Sequence, residues 1–210
     1  MKRFATASFL TLTCAIGVAA DDWPAATVRS AFSENGRYFV RIVPGEAVGD
    51  TVGFSGANKG PYAHGEFYAR QPDRSYGLVA DVTLQNPVSP TDAVVSNHGY
   101  LITFDNWHNV GYGKVVAIYE PGGRGVRAFT LEQLYSEEQL KKIPLSVSSR
   151  WWRCASHGFV DPREQTEIHV SERLGGTFTF RIKTGQFAYH PGQATCAPPS
   201  GPFSAFWFGR

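Results

Sequence analysis

The sequence predicts a mainly β protein built from antiparallel meanders. Segments rich in β-branched and aromatic residues alternate apolar and polar positions, and turn signals with glycine or proline separate them. The one helical pattern is short and interrupts the strands once. The chain contains 22 glycines, 13 prolines and 14% aromatic residues, which is typical of many turns and strands.

The predicted strands follow one another in hairpins. Asn35-Gly36, a strong turn signal, precedes the first run, and residues 121–124 (Pro-Gly-Gly-Arg) join a later pair. In residues 166–172, Ile168 and Val170 share one face while polar side chains share the other, so one face of this strand is solvated. The predicted strands are residues 38–43, 65–71, 76–85, 92–96, 100–105, 114–120, 125–131, 166–172, 176–182 and 186–190.

A helical crossover is predicted over about residues 130–143. Thr130 with Gln133, and Ser136 with Gln139, have the spacing of two successive capping boxes. Apolar residues recur at helical spacing between them, and Pro144 ends the second short helix. We expect this segment to cover one end of the sheets.

Internal repetition gives a more specific expectation. The segments "FSENGRYFVRIVPG", "VSNHGYLITFDNW" and "ERLGGTFTFRIKTG" each have a turn with glycine, a bulky aromatic residue soon after it, and alternating apolar positions. Over about residues 28–134 this pattern resembles the blade repeats of bacterial secreted β-propeller-type proteins, of the WD-repeat-like and TolB-like kind. No WD dipeptide stands at blade spacing. Because about 190 residues with a helical interruption hold three or four blades, we expect an incomplete propeller or a two-sheet sandwich.

The N-terminus has the three parts of a secretory signal peptide in order. Lys2 and Arg3 form a positive region, residues 4–18 are apolar and uncharged, and Val18-Ala19-Ala20 offers small residues for cleavage. We therefore divide the chain into a signal peptide (residues 1–20) and a single β-rich domain (residues 21–210). The domain is expected to be periplasmic or extracellular, and no later segment approaches the roughly 20 apolar residues of a membrane helix.

The predicted export determines how the cysteines are interpreted. Of the three, Cys14 is removed with the signal peptide, which leaves Cys154 and Cys196. An even pair in an oxidising compartment predicts one disulfide bond. Neither cysteine belongs to a CxxC motif or has a histidine at ligand spacing, which argues against a metal or nucleophile role.

Charge excludes some partners. Removal of the signal peptide takes two of the 20 basic residues and none of the 18 acidic ones, leaving 18 against 18. A neutral chain without a basic run lacks the electrostatic attraction that nucleic acid or an anionic membrane surface requires.

The candidate site is the loop "DNWHNVGYG", residues 105–113, which is longer than a tight hairpin needs. Asp105, Trp107, His108 and Asn109 combine an aromatic plate with carboxylate, imidazole and amide groups, which suits a sugar or another polar ligand. The alternative is structural: Asp and Asn close turns on their own backbone, and Trp107 packs at the edge of the core. The preceding Asn97-His98-Gly99 is expected to be a tight turn with an exposed histidine.

Motifs for metals, cofactors and hydrolysis are absent. The six histidines form no HxH, HxxH or HExxH pattern, and no serine lies in GxSxG, so we expect no metal and no cofactor. Trp151 and Trp152 point to opposite faces if the segment is extended, so that one packs near Cys154 and the other faces out. The aromatic tail, residues 202–210, is expected to dock on the body as a last strand.

Two classes of function fit these observations. The first is an exported β-domain without catalytic activity that binds a polar small molecule, a glycan or a protein through its loop ends. The second is a secreted or periplasmic hydrolase that acts on polysaccharide through dispersed carboxylates, for which two acidic groups about 5–10 Å apart are needed. The candidates for that role are Asp81, Asp105, Glu120, Asp161 and Glu164.

Overall fold

Three four-stranded antiparallel sheets make up the fold, and in each the spatial order of the strands follows the chain. The structure, a computed structural model, describes residues 23–51, 59–146, 148–192 and 196. The first sheet contains β1 (Arg29–Phe32), β2 (Tyr38–Val43), β3 (His64–Arg70) and β4 (Tyr76–Thr83). The second contains β5 (Asp92–Val95), β6 (Leu101–Phe104), β7 (Val116–Tyr119) and β8 (Gly125–Phe129). The third contains β9 (Arg153–Phe159), β10 (Glu167–Glu172), β11 (Thr177–Arg181) and β12 (Gln186–His190).

The prediction of a mainly β fold made of antiparallel meanders is confirmed. The described residues form three sheets rather than the two of a sandwich. Two strands, β1 and β9, were not among the predicted ones. The signal peptide (residues 1–20) and the aromatic tail (residues 202–210) lie outside the described residues.

The second sheet lies between the other two and is buried on both sides. All four residues of β6 and of β7 are buried. Successive residues of a strand point to opposite faces, and here both faces are apolar. Ile102, Phe104 and Ile118 join a core with the third sheet, whereas Leu101 and Tyr119 join a core with the first. The first and third sheets therefore each have one face packed on the second sheet and one outer face.

Two short helices form the predicted crossover. They are α1 (Leu131–Leu134) and α2 (Glu137–Leu140), and both predicted capping boxes are present. Leu131, Leu134 and Ile143 are buried in the core shared by the second and third sheets. None of the helices in the described part of the chain is long and apolar enough to cross a bilayer.

The first hairpin turn of each sheet meets the others at one end of the molecule. Gln165, which precedes β10, accepts a hydrogen bond from the backbone N–H of Asn97 and donates one to Glu34 Oε2 at 3.1 Å. The backbone N–H of Asn35 donates to Asn97 Oδ1 at 2.8 Å. The predicted turn at Gly99 is present, with φ of 83°, and His98 on it is exposed. Side-chain hydrogen bonds thus tie the three sheets together beyond their apolar cores.

The predicted disulfide is confirmed: Cys154 on β9 is bonded to Cys196, with their Cα atoms 5.1 Å apart. Trp151 and Trp152 precede β9 and are both buried, so the expectation that one of them faces out is wrong. The reason is that they lie outside a regular strand, where side chains need not alternate between faces.

Candidate functional site

The predicted recognition loop turns its carboxylate inward. Asp105 is only 1% exposed, and its backbone has a φ of 53°. Its Oδ2 accepts a hydrogen bond from Arg153 Nε at 2.8 Å, and its Oδ1 accepts one from Trp152 Nε1 at 2.7 Å. Asp105 therefore joins the second sheet to the start of the third and does not face solvent.

The other three loop residues are divided between interior and surface. Asn109 is buried, whereas Trp107 and His108 are half-buried. Trp107 Nε1 donates to Pro24 O at 2.8 Å, and its ring lies 5.4 Å from that of Trp23. Burial lowers the pKa of His108 below its usual value. The loop thus offers a ligand part of Trp107 and His108, and its role as a binding site stays a prediction.

A larger apolar surface lies on the outer face of the first sheet. Four rings form a cluster there, which we call the aromatic ridge: Phe32, Phe39, Tyr68 and Tyr76. The Phe39 ring is stacked on Tyr68, with centroids 4.5 Å apart and planes at 7°, and on Phe32 at 5.0 Å and 28°. Tyr76 meets Phe39 edge-on at 4.9 Å. Phe32 is 59% exposed and the neighbouring Leu78 is 57% exposed, so the ridge is an apolar surface open to contact.

The rings of the ridge stand upright on the sheet. Phe32, Phe39 and Tyr68 are paired across β1, β2 and β3, and neighbouring strands lie about 4.8 Å apart. Nearly parallel rings at this spacing are stacked against each other across the strands. Their edges, rather than their flat faces, therefore point away from the sheet.

A row of charged side chains lies beside the ridge on the same face. Arg41 Nη1 contacts Glu66 Oε1 at 2.6 Å, Tyr68 donates to Glu66 Oε2 at 2.9 Å, and His64 Nδ1 lies 2.6 Å from Asp81 Oδ1. The hydrogen bonds from Arg41 and Tyr68 lower the pKa of Glu66. The potential metal-ligating atoms of His64, Glu66 and Asp81 lie within 4.8 Å of one another. Both oxygens of Glu66 are already engaged, so this row is a hydrogen-bonded network.

Three of the five carboxylates proposed for a hydrolase are buried or engaged with other groups, and the hydrolase function stays a prediction. Asp105 is buried, and Glu120 is paired with Arg124 at 2.6 Å. Asp81 lies directly across from Glu66 on the neighbouring strand. Glu66 is not among the carboxylates that the sequence suggests for a hydrolase. A general acid at neutral pH needs a raised pKa, whereas the pKa of Glu66 is lowered. The pair also lies on an open sheet face.

The outer face of the third sheet contains a hollow of about 600 Å³. We call it the third-sheet hollow. Thr179 and Ala188 are among the small residues that line it, with longer polar side chains beside them: Arg127, Glu167, Arg181, Gln186 and His190. Thr179 is only 7% exposed, and its hydroxyl has no hydrogen-bond partner among the described residues.

Charged groups also cluster between the second and third sheets. His157 Nε2 on β9 lies 3.5 Å from Asp92 Oδ2 on β5, and Arg153 Nη1 lies 3.7 Å from the same oxygen. Burial lowers the pKa of His157, an effect that Asp92 partly offsets. The Arg153 guanidinium also lies over the Phe104 ring, 4.9 Å from its centroid. This cluster packs the two sheets together.

Comparisons with known proteins identify no family. No family model and no curated protein matches the chain. One solved structure with some similarity is the "Crystal structure of HIRA(644-1017)": the match has a TM-score of 0.26 and 6% identity, and covers 80% of this chain and 56% of that one. At such a low TM-score the similarity carries no conclusion about function.

Proposed function

We propose that this chain is an exported protein-binding β-domain without catalytic activity, which contacts its partner through the aromatic ridge. The observation that carries the proposal is the exposure of Phe32, at 59%, in the ridge and of Leu78, at 57%, beside it. Contiguous exposed apolar surface on a folded domain marks an interaction site.

The orientation of the rings favours a protein over a sugar. A sugar ring stacks on the flat face of an aromatic side chain, whereas Phe39 lies between Phe32 and Tyr68 and offers mainly its edge. An upright row of rings suits insertion between the side chains of a second protein surface. Aromatic residues and arginine, here Arg41 beside the ridge, are also enriched in protein interfaces.

The same face defines the chemistry of the partner. Its charged row contains two carboxylates, Glu66 and Asp81, and one guanidinium, Arg41. A second guanidinium, Arg70, lies across from Tyr76 on the same face, so carboxylates and guanidiniums are balanced. The partner surface should therefore be a shallow groove with small side chains at its base and charges of both signs at its rim.

The disulfide supports an exported location. Cys154–Cys196 requires an oxidising compartment to form and persist. The balanced charge of residues 21–210 fits a partner other than nucleic acid. We place the domain in the periplasm or outside the cell.

Site-specific photo-crosslinking in the exporting cell tests the proposal. A benzophenone amino acid is placed at Phe32, or at Leu145 as a control, because Leu145 is 62% exposed and lies outside the three sheets. We expect a discrete protein adduct at position 32 and none at position 145. Adding Leu78→Asp should abolish the adduct, because a charge at the centre of an apolar contact is costly.

Two outcomes contradict the proposal. One is the absence of any protein adduct at position 32. The other is Phe32-dependent retention of the purified protein on a panel of insoluble polysaccharides, which would make the ridge a glycan-binding surface.

A further inference from the structure

We propose that the third-sheet hollow binds a carboxylate-bearing sugar, such as a uronic acid, through the guanidinium of Arg127. The hollow is then a second binding site on the domain. It lies on a different sheet from the aromatic ridge, and its ligand does not depend on the function proposed for the ridge.

The charges that line the hollow leave one guanidinium without a counter-charge. Arg181 and Glu167 neutralise each other, with Nε and Oε1 2.9 Å apart. Arg127 pairs with no carboxylate among the described residues. The hollow therefore keeps one net positive charge. A guanidinium binds a carboxylate through two parallel hydrogen bonds, so Arg127 is suited to an acidic ligand.

Two contacts hold the Arg127 side chain in place. Its stem packs against Gly185 in the turn between β11 and β12, so closely that a Cβ on Gly185 would lie 2.6 Å from the Cβ of Arg127. Its Cζ lies 5.4 Å from the centre of the Phe129 ring, a cation–π contact. Because these contacts already order the side chain, a ligand that binds it meets a smaller cost in conformational entropy.

The rest of the lining suits the hydroxyls and the ring of a sugar. The side chains of Gln186 and His190 have no hydrogen-bond partner among the described residues, so both are available to ligand hydroxyls. Phe187 is 38% exposed and offers an apolar surface beside them. Apolar surface with a few convergent polar groups is typical of sites for small molecules.

The size of the hollow favours a sugar acid over a simple anion. Its volume of about 600 Å³ lies within the usual range for small-molecule sites, about 300–1,000 Å³. Inorganic phosphate can engage Arg127, but it is too small to reach Gln186, Phe187 and His190 as well. A sugar ring with a carboxylate can contact all of these groups at once.

Titration of the full, disulfide-bonded protein with glucuronate, followed by ¹⁵N nuclear magnetic resonance, tests the inference. We expect saturable shifts of the amide signals of Arg127 and of residues 185–190, with a Kd of about 1 mM or tighter. Arg127→Gln should weaken binding about tenfold or more, because a charge-assisted pair of hydrogen bonds is lost. Arg127 is exposed, so the substitution should leave folding unaffected.

A matched variant controls for the loss of positive charge. Arg124→Gln removes another exposed arginine from the same hairpin, but Arg124 is paired with Glu120 and is not part of the lining of the hollow. We expect this variant to bind glucuronate as wild type does.

Two further probes define what the hollow recognises. Glucose has the ring without the carboxylate, and inorganic phosphate has the charge without the ring. Each should bind wild type at least about tenfold more weakly than glucuronate, because each lacks one of the two sets of contacts.

Three results overturn the inference: wild type that does not bind glucuronate at millimolar concentrations, binding that Arg127→Gln leaves intact, or glucose or phosphate that binds as tightly as glucuronate. None of them affects the crosslink expected at Phe32. The proposed function and this inference can therefore fail separately.

Discussion

The carboxylate of Asp105 and the guanidinium of Arg153 form a buried ion pair, with Oδ2 and Nε 2.8 Å apart and both side chains at most 7% exposed. Asp105 follows β6, and Arg153 begins β9, so the pair joins the second sheet to the third. Because each charge is removed from water, each depends on the other to remain buried.

Replacing Asp105 by Ala should therefore destabilise the fold strongly. Arg153 would lose its closest carboxylate while it stays buried, and breaking such a pair costs about 3–5 kcal/mol. Urea unfolding followed by circular dichroism measures the loss. Glu120→Gln, which breaks the more exposed pair with Arg124, is the control and should cost less than about 1 kcal/mol. Equal effects of the two substitutions would show that the Asp105 pair does not hold the sheets together.

Trp107→Ala should have an intermediate effect on stability. The side chain is half-buried against Trp23 and Pro24, so we expect a loss of about 1–2 kcal/mol, below the 3–5 kcal/mol of a fully buried tryptophan. The same variant should leave the crosslink at position 32 unchanged, because Trp107 packs against Trp23 and is not part of the aromatic ridge. A variant of native stability that loses its binding partner would instead support the predicted recognition loop.

Removing the disulfide should cost about 2–5 kcal/mol, because the bond between Cys154 and Cys196 restricts the unfolded chain over a sequence separation of 42 residues. Cys154→Ala measured against wild type in urea tests the magnitude. Thiol titration of the unfolded, unreduced exported protein should detect neither cysteine. Two reactive thiols would contradict the bond.

Stability should fall as the pH drops below about 6.5, the usual pKa of histidine. Burial lowers the pKa of His157 and of His108 in the folded chain, so the unfolded chain binds these protons first. The stability that depends on neutral His157 is thus fully present above its unfolded pKa and is lost as the pH falls towards its folded pKa. Urea unfolding at a series of pH values should show this slope, reduced in His157→Gln. An unchanged slope in His157→Gln would rule out this role for His157.

The strands that could be predicted are those with their own alternating pattern. In β10, Ile168 and Val170 are buried as expected, because β-branched residues on one face of a strand suit a core. The strands β1 ("RSAF") and β9 ("RCASHGF") were missed because they are short or contain small and polar residues. β1 is a strand because it pairs with β2, and β9 is a strand because it pairs with β10. This pairing is not visible in the residue pattern of either segment.

The candidate site was harder to predict for the same reason. A loop rich in Asp, Asn and His predicts exposure, but Asp105 turns inward to Trp152 and Arg153, 47 and 48 residues later in the chain. The aromatic ridge requires the register between several strands, since Phe32, Phe39 and Tyr68 become neighbours only when β1, β2 and β3 pair. The sequence does contain one signal of this surface, the alternation within β2 and β3. It places Phe39 and Arg41 on one face of β2, and Glu66 and Tyr68 on the same face of β3.

Hydroxyl-radical footprinting tests most directly whether the aromatic ridge, and not the loop, is the contact surface. Oxidation of Phe32, Tyr76 and Trp107 is compared between the protein in its native compartment and the purified, highly diluted chain. We expect Phe32 and Tyr76, which are 59% and 38% exposed in the single chain, to be oxidised more slowly in the native compartment, and Trp107 to be oxidised at the same rate in both. Protection of Trp107 with no protection of Phe32 would contradict the proposal and return the site to the loop.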